Sequence, residues 1–319
     1  MVKLKKQILK NEIPIFFSTD NNYIPFLDVA IKSLIANASK DYQYKIIILN
    51  SGLEQKNMEL VEQNENENFT IEFADVTEAV KDLKDKLPNQ YHFGLATWYR
   101  LFIQSMFPHY DKILYLDCDI VVLGDISKLY FTDLEGNTIG GVIENWILHS
   151  PIFSLYTKEA VGIESKNYIN AGIMIIDLAK FRKQKIEEQF TELINTYNFN
   201  VIDPDQAYIN YLCRGKIKYL SFSWNRTPLE YVECENPNIV HYALGTKPWQ
   251  NPNMFLGSYF WNYAKYSPFY EDITKVTESF DELERLKKER AGIDIQIQAI
   301  EFANSENTFK KKLADSYGA

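Results

Sequence analysis

The stretch Lys112-Ile-Leu-Tyr-Leu-Asp117-Cys-Asp119-Ile-Val-Val122 most narrows what this chain can fold into, because two acids interrupt an otherwise continuous apolar run. A carboxylate moved from water into a low-dielectric interior loses several kcal/mol of solvation, so two of them one residue apart need a cation or several donors nearby. In an extended chain residues i and i+2 share a face, which places Asp117 and Asp119 on one side and Cys118 on the other. If the strand ends there, both acids sit at its carboxyl end, where open parallel sheets bind ligands. Oxygen ligands point to Mg²⁺ or Mn²⁺ rather than zinc. Asp-x-Asp also arises by chance, and Asp203-Pro-Asp205 is a second instance. The apolar flanks on both sides set the first apart.

The rest of the chain alternates strand and helix. Apolar runs at residues 13–19, 44–49, 69–73, 138–144, 168–177 and 217–220 read as strands, and a further strand ends on His241. Helical spacing marks residues 23–38, 54–65, 93–106, 178–197 and 207–212, with Asp203-Pro-Asp205-Gln206 capping the last. Such alternation predicts an α/β fold with a Rossmann-like, mostly parallel central sheet flanked by helices. The turn Ser18-Thr19-Asp20-Asn21-Asn22-Tyr23 follows the first strand, where these sheets hold nucleotides, although an Asx turn alone explains its composition. Arg100 lies among large apolar residues, either snorkelling or aimed at a phosphate or sugar near Asp117. Asn170-Ala171-Gly172 opens a strand with small residues that let a backbone or ligand approach closely. Past His241, Gly245, Lys247 and Trp249 form a tight loop; a neutral imidazole would complete a metal sphere begun by carboxylates, and Lys247 adds a point charge. Residues 146–168 are irregular and aromatic, and Trp146, Phe153 and Tyr156 are expected to help bind an acceptor.

A net charge of −9 argues against nucleic acid as a partner. Three cysteines without paired spacing favour a reducing compartment. The basic start leads into no sustained apolar segment, so we expect neither a signal peptide nor a membrane span. The protein is expected to be cytoplasmic, with a peripheral place at the inner face of the membrane as a variant. We divide the chain into a catalytic domain, residues 1–267, and a helical extension, residues 268–319, where the composition turns charged. There Val276, Phe280, Leu283, Leu286, Ile293, Ile297 and Ile300 approximate a three-four spacing that Gly292 is expected to break. Self-association as a coiled coil and a membrane contact through Lys310, Lys311 and Lys312 are the alternatives to a helix packed back on the core.

Six ordered motifs carry a family likeness across about residues 13–264: Phe17-Ser-Thr-Asp-Asn-Asn-Tyr23, Thr97-Trp-Tyr-Arg-Leu101, Tyr115-Leu-Asp-Cys-Asp119, Asn170-Ala-Gly172, Asp205-Gln206, and the run from His241 to Trp249. The sequence resembles the retaining glycosyltransferases of family 8, which include glycogenin and bacterial lipopolysaccharide galactosyl- and glucosyltransferases. The resemblance implies a GT-A fold, a UDP-sugar donor, a Mn²⁺ or Mg²⁺ cofactor, and a glycan or glycolipid acceptor. It makes Asp117, Asp119 and His241 the metal ligands. Ser18, Thr19, Asp20, Asn22 and Tyr23 would hold uridine and ribose, with Asp117 and Cys118 beside the nucleotide and Gly245 and Lys247 on the diphosphate. Arg100, Asn170, Ala171, Gly172, Asp205 and Gln206 would line the donor sugar, and Gln206, Asp205 and Glu144 are the candidates for the chemistry.

Two departures stand out. The loop's familiar glycine position holds Leu244, with Gly245 one residue later, and Glu144 stands where many relatives carry Asp. Gln206 is a weak nucleophile, so the expected course is same-face attack by the acceptor with the leaving phosphate as base; double displacement through Asp205 or Glu144 is the alternative. A sugar nucleotidyltransferase would be expected to carry a Gly-rich basic loop after the first strand, and residues 18–23 hold no Gly, Lys or Arg. A non-catalytic glycan- or nucleotide-binding module would be expected to lose the metal set, which is complete here.

Overall fold

A computed structural model describes residues 11–81, 95–243 and 245–314. Seven strands form the central sheet in the order β3-β2-β1-β4-β7-β6-β8: β1 (Glu12–Ser18), β2 (Gln43–Asn50), β3 (Phe69–Asp75), β4 (Lys112–Leu116), β6 (Ile139–Ile143), β7 (Ile169–Asp177) and β8 (Ile217–Tyr219). The short strands β5 (Ile120–Val122) and β9 (Ile239–His241) pair separately. Residues along each strand alternate between two cores. Phe16, Ile47, Leu49, Ile113 and Tyr115 pack on one face with Trp98, Phe190 and Tyr208. Ile15, Phe17, Ile46, Ile48, Leu114 and Leu116 pack on the other with Leu27, Ile31 and Trp249. Period-two alternation with both sides apolar is what a sheet covered on both faces requires.

The sheet is mostly parallel, with one reversal: β7 runs antiparallel to both β4 and β6. Its first residues, rather than its last, therefore lie at the edge where β1 and β4 end. Helix expectations need three adjustments. Residues 178–197 form two helices, Leu178–Lys183 and Ile186–Thr196, because Lys185 takes a left-handed φ of 55°. Part of the expected helix 93–106 lies outside the described residues, and the rest is the 3₁₀ segment Leu95–Phe102 followed by Ile103–Met106. Residues 146–168 are not irregular but hold short helices, one opened by Pro151 and capped by Ser150.

Beyond the sheet, helix Tyr270–Ser279 buries Ile273 in the second core. Helix Glu282–Asn304 runs unbroken through Gly292, capped by Asp281 accepting from the Glu284 N–H. It buries Ala299 and Ala303 and packs on Pro151–Tyr156, while Leu283, Leu286, Ile293, Ile297 and Ile300 face outward. Phe309 then anchors the end of the chain among Phe199, Tyr208 and Tyr211, with ring centroids 4.1–4.9 Å apart. Among the described residues no helix is long and apolar enough to cross a membrane.

Candidate functional site

Asp117 and Asp119 lie in the bend between β4 and β5 rather than on one straight strand. Two pairings fix that bend. The Asp117 N–H donates to Gly172 O at 2.8 Å, extending the β4–β7 ladder, and the antiparallel β5–β9 register sets Ile120 opposite His241. His241 is thereby delivered to the acids: its Nε2 is 3.2 Å from Asp119 Oδ1 and 3.7 Å from Asp117 Oδ2. One ligand atom from each of the three lies within 4.8 Å of the others.

The histidine's tautomer follows from its neighbours. Asn225 Nδ2 donates to Asn170 Oδ1 at 2.8 Å, so Asn225 Oδ1 faces His241 Nδ1 at 3.0 Å and requires the proton there. Nε2 then offers a lone pair toward two carboxylates. Three electron-rich atoms converging in this way fit a divalent cation, and the imidazole is oriented by a hydrogen bond at its other nitrogen, as in metal sites generally. Gly172 adds a second sign of fit. A Cβ there would stand 2.4 Å from His241 Cε1 and 2.5 Å from Asp117 Oδ2, so the missing side chain makes room for both of these side chains. The small-residue opening of β7 thus serves close approach, as the sequence implies.

The chain of contacts continues inward. Asn170 Nδ2 donates to Glu144 Oε2 at 2.6 Å, and the other Glu144 oxygen accepts from the Trp146 N–H at 3.2 Å. Glu144 is buried, and burial raises its pKa, partly offset by Asn170. Both of its oxygens are engaged, and its hydrogen bonds lead through Asn170 and Asn225 to His241.

Arg100 does not snorkel; it is 6% exposed. Its guanidinium donates to Asp117 Oδ1 at 2.8 Å and to Ala171 O at 2.6 Å, and lies 4.2 Å over the Tyr115 ring. Burial alone would lower its pKa, but Asp117 and Asp205 reverse the direction. Asp205 Oδ2 is 3.0 Å from Arg100 Nε, whose proton is directed at Thr97 O. That contact is Coulombic without being a hydrogen bond, and the oxygen has no hydrogen-bond partner among the described residues. Burial accordingly pushes the Asp205 carboxyl up to about 6, Arg100 notwithstanding.

On the opposite flank Lys247 Nζ lies 2.7 Å from Asp119 Oδ2 and also donates to Tyr242 O. Burial acts against ionisation of Asp119, while the Lys247 ammonium draws the carboxyl below its usual range. Gly245 lies on the same loop; Leu244 is outside the described residues.

The first turn is built as its composition predicts. Asp20 Oδ1 accepts from the Asn22 and Tyr23 N–H groups, Thr19 is buried, and Cys118 Sγ lies 3.1 Å from Ser18 O. Tyr23 edges onto Trp249 at 6.3 Å, bringing the turn beside the Lys247 loop.

Asp203 corrects a reading. Its side chain makes no capping bond to the helix Pro204–Cys213. Instead it accepts from Tyr156 at 2.9 Å, Tyr168 at 2.5 Å and Gln206 Nε2 at 3.0 Å. Burial pushes it up to about 7 despite those donors. With Nε2 so held, Gln206 Oε1 accepts from the Ala171 N–H at 2.9 Å, so the carboxamide has one orientation beside Ala171. Burial removes Tyr156, Tyr168 and Phe153 from any acceptor surface: all three are core residues, and of the expected aromatic platform Trp146 alone is partly exposed. Sequence reasoning also missed Asn225, whose neighbourhood carries no motif.

A family model described as Glycosyl transferase family 8 matches residues 14–252. General stress protein A of Bacillus subtilis (strain 168) is 30% identical over 254 residues, 73% of this chain and 85% of that protein. Lipopolysaccharide 1,2-glucosyltransferase of Escherichia coli (strain K12) is 26% identical over 296 residues, 85% of this chain and 83% of the relative. Among solved structures, the galactosyltransferase LgtC in complex with donor and acceptor sugar analogues superposes with a TM-score of 0.68 at 24% identity, covering 80% of this chain and 96% of that one. The bifunctional WbbM protein gives 0.72 at 21% identity over 86% of this chain, which spans 53% of WbbM's length.

Proposed function

This chain belongs to glycosyl transferase family 8, and on that premise we propose that it moves a hexose, glucose or galactose, from a UDP-sugar to a glycan or glycolipid acceptor. The bond formed is α-glycosidic, the donor's configuration is retained, and the product feeds cell-surface polysaccharide or lipopolysaccharide synthesis from the cytoplasmic side. The fold is that of the GT-A glycosyltransferases and the chain is a transferase. The observation that carries the finer reading is the convergence of Asp117, Asp119 and His241 within 4.8 Å, with Lys247 on one flank and Arg100 on the other.

Those three residues would hold Mn²⁺ or Mg²⁺, which when bound supplies charge neutralisation to a diphosphate leaving group. Lys247 adds an ammonium on the same side, poised by Asp119, where negative charge grows as the sugar–phosphate bond breaks. Ser18, Thr19, Asp20, Asn22 and Tyr23, with Cys118 behind them, form the uridine side. Arg100 holds the Asp117 carboxylate and the Ala171 carbonyl, and so fixes the floor on which Asn170, Ala171 and Gly172 meet the donor sugar. Gln206 presents an oriented amide, whose carbonyl supports a cation-like anomeric carbon. Support for same-face attack comes from the acids: Glu144 has both oxygens bonded and Asp205 is buried against Arg100, so neither resembles a free nucleophile.

The test is UDP release from a panel of UDP-sugars with Mn²⁺, against EDTA and Asp119→Ala. Slow, metal-dependent hydrolysis of one donor is expected and identifies the sugar. No turnover together with no calorimetric binding of UDP would sink the reading.

A further inference from the structure

The matched family region ends at residue 252, yet the helix Glu282–Asn304 returns to the loop that carries Lys247. Lys288, in its second turn, donates its ammonium to Gly245 O. Its ammonium lies within ion-pairing distance of no carboxylate among the described residues; Glu284, one turn before it, pairs with Lys287. Two ammonium groups are thus gathered at one short loop. Among the described residues the single carboxylate ion-paired to either is Asp119, which belongs to the candidate metal cluster.

Helix and loop are not closely packed around this contact. A cleft of about 450 Å³ lies between them; Gly245, Thr246 and Lys288 line it together with three carboxylates, of which Asp281 caps the helix and Glu282 and Glu289 pair with Arg285. The lysine is therefore not there to fill a core. Burial and repulsion from Lys247 push it down to about 8, a cost that an anion between the two lysines would reverse, since an opposite charge favours the charged form. Arg285, by contrast, is neutralised by Glu282 and Glu289.

We propose that Lys288 is a second diphosphate-binding cation of the donor site, supplied by the helix beyond the family region and held over the Lys247 loop by Gly245 O. This rests on the UDP-sugar reading above. It assigns the C-terminal helix a part in the site: the helix that carries Lys288 also packs on Pro151–Tyr156, whose Phe153 and Tyr156 belong to the first core.

Calorimetric titration with UDP and with uridine, both in MnCl₂, tests it on the full chain. Lys288→Gln keeps a donor for Gly245 O and removes the charge; Lys288→Arg restores the charge. We expect Lys288→Gln to weaken UDP binding about tenfold and flatten its salt dependence, Lys288→Arg to stay within about threefold of the parent, and uridine binding to be the same in all three. Equal UDP affinity in Lys288→Gln and the parent would show a mere tether and overturn the inference while the donor reading stands. Parallel loss of UDP and uridine binding in Lys288→Gln would also overturn it, as a disturbed loop. Failure of the parent chain to bind UDP would instead overturn the donor reading and the inference with it.

Discussion

Replacing Gly172 by Ala separates the proposed metal site at Asp117, Asp119 and His241 from the fold that carries it. Gly172 has no positive φ, so alanine costs nothing in backbone conformation and acts through its Cβ alone. That Cβ would lie 2.4 Å from His241 Cε1 and 2.5 Å from Asp117 Oδ2. Carbon atoms rest at about 3.5–4.0 Å, so the imidazole must retreat by roughly 1 Å or more. Metal–ligand distances tolerate about 0.2 Å, and disturbing merely the groups that orient ligands already lowers metal affinity about 10–100-fold. A loss of at least that size is expected for Mn²⁺ in the presence of UDP, or about 1.4–2.7 kcal/mol, besides an overpacking cost of about 1–3 kcal/mol in stability. Gly292→Ala is the control, because a Cβ there meets nothing within 4 Å and the residue lies outside the cluster. Calorimetric Mn²⁺ titration and thermal unfolding without metal read the two effects separately. Wild-type Mn²⁺ affinity in a folded Gly172→Ala protein would refute the argument that these ligands are held against the strand backbone.

Asn225→Ala removes the acceptor that selects the His241 tautomer, and should weaken Mn²⁺ binding about 10–100-fold while Asn225→Asp, which keeps an acceptor, loses less; the same titration checks both. Asp203, pushed up to about 7 from an ordinary 3.8, holds its proton more tightly folded than unfolded. Its contribution is therefore full below about pH 4 and is lost as pH rises toward about 7. The thermal midpoint should fall between about pH 4 and about pH 7, and fall less in Asp203→Asn; an unchanged slope in that variant would count against the assignment. Phe309→Ala opens a hole among Phe199, Tyr208 and Tyr211 and should cost about 3–5 kcal/mol in chemical denaturation, whereas Leu286→Ser on the outer face of the long helix should change stability by less than about 0.5 kcal/mol.

What was legible in the sequence was local. Continuous apolar runs marked strands buried on both faces, three-four spacing marked the flanking helices, and two acids set inside an apolar run marked a place where burial would call for a cation or several donors. His241 at the end of a strand and Lys247 just after it were likewise visible as residue types of the right chemistry. What tertiary structure decided was register and direction. The β5–β9 pairing sets His241 opposite Ile120, and the reversal of β7 brings Gly172 to Asp117; both depend on hydrogen bonds between segments far apart in the chain. Asp203 looks like a helix cap until two tyrosines from another segment claim its oxygens, and Asn225 has no signal until His241 lies beside it. Lys288 is one charge in a charged helix until that helix lands on Gly245. A hydrophobic period is written in consecutive residues, whereas the partner of a polar group is chosen by which distant strands and helices pack together.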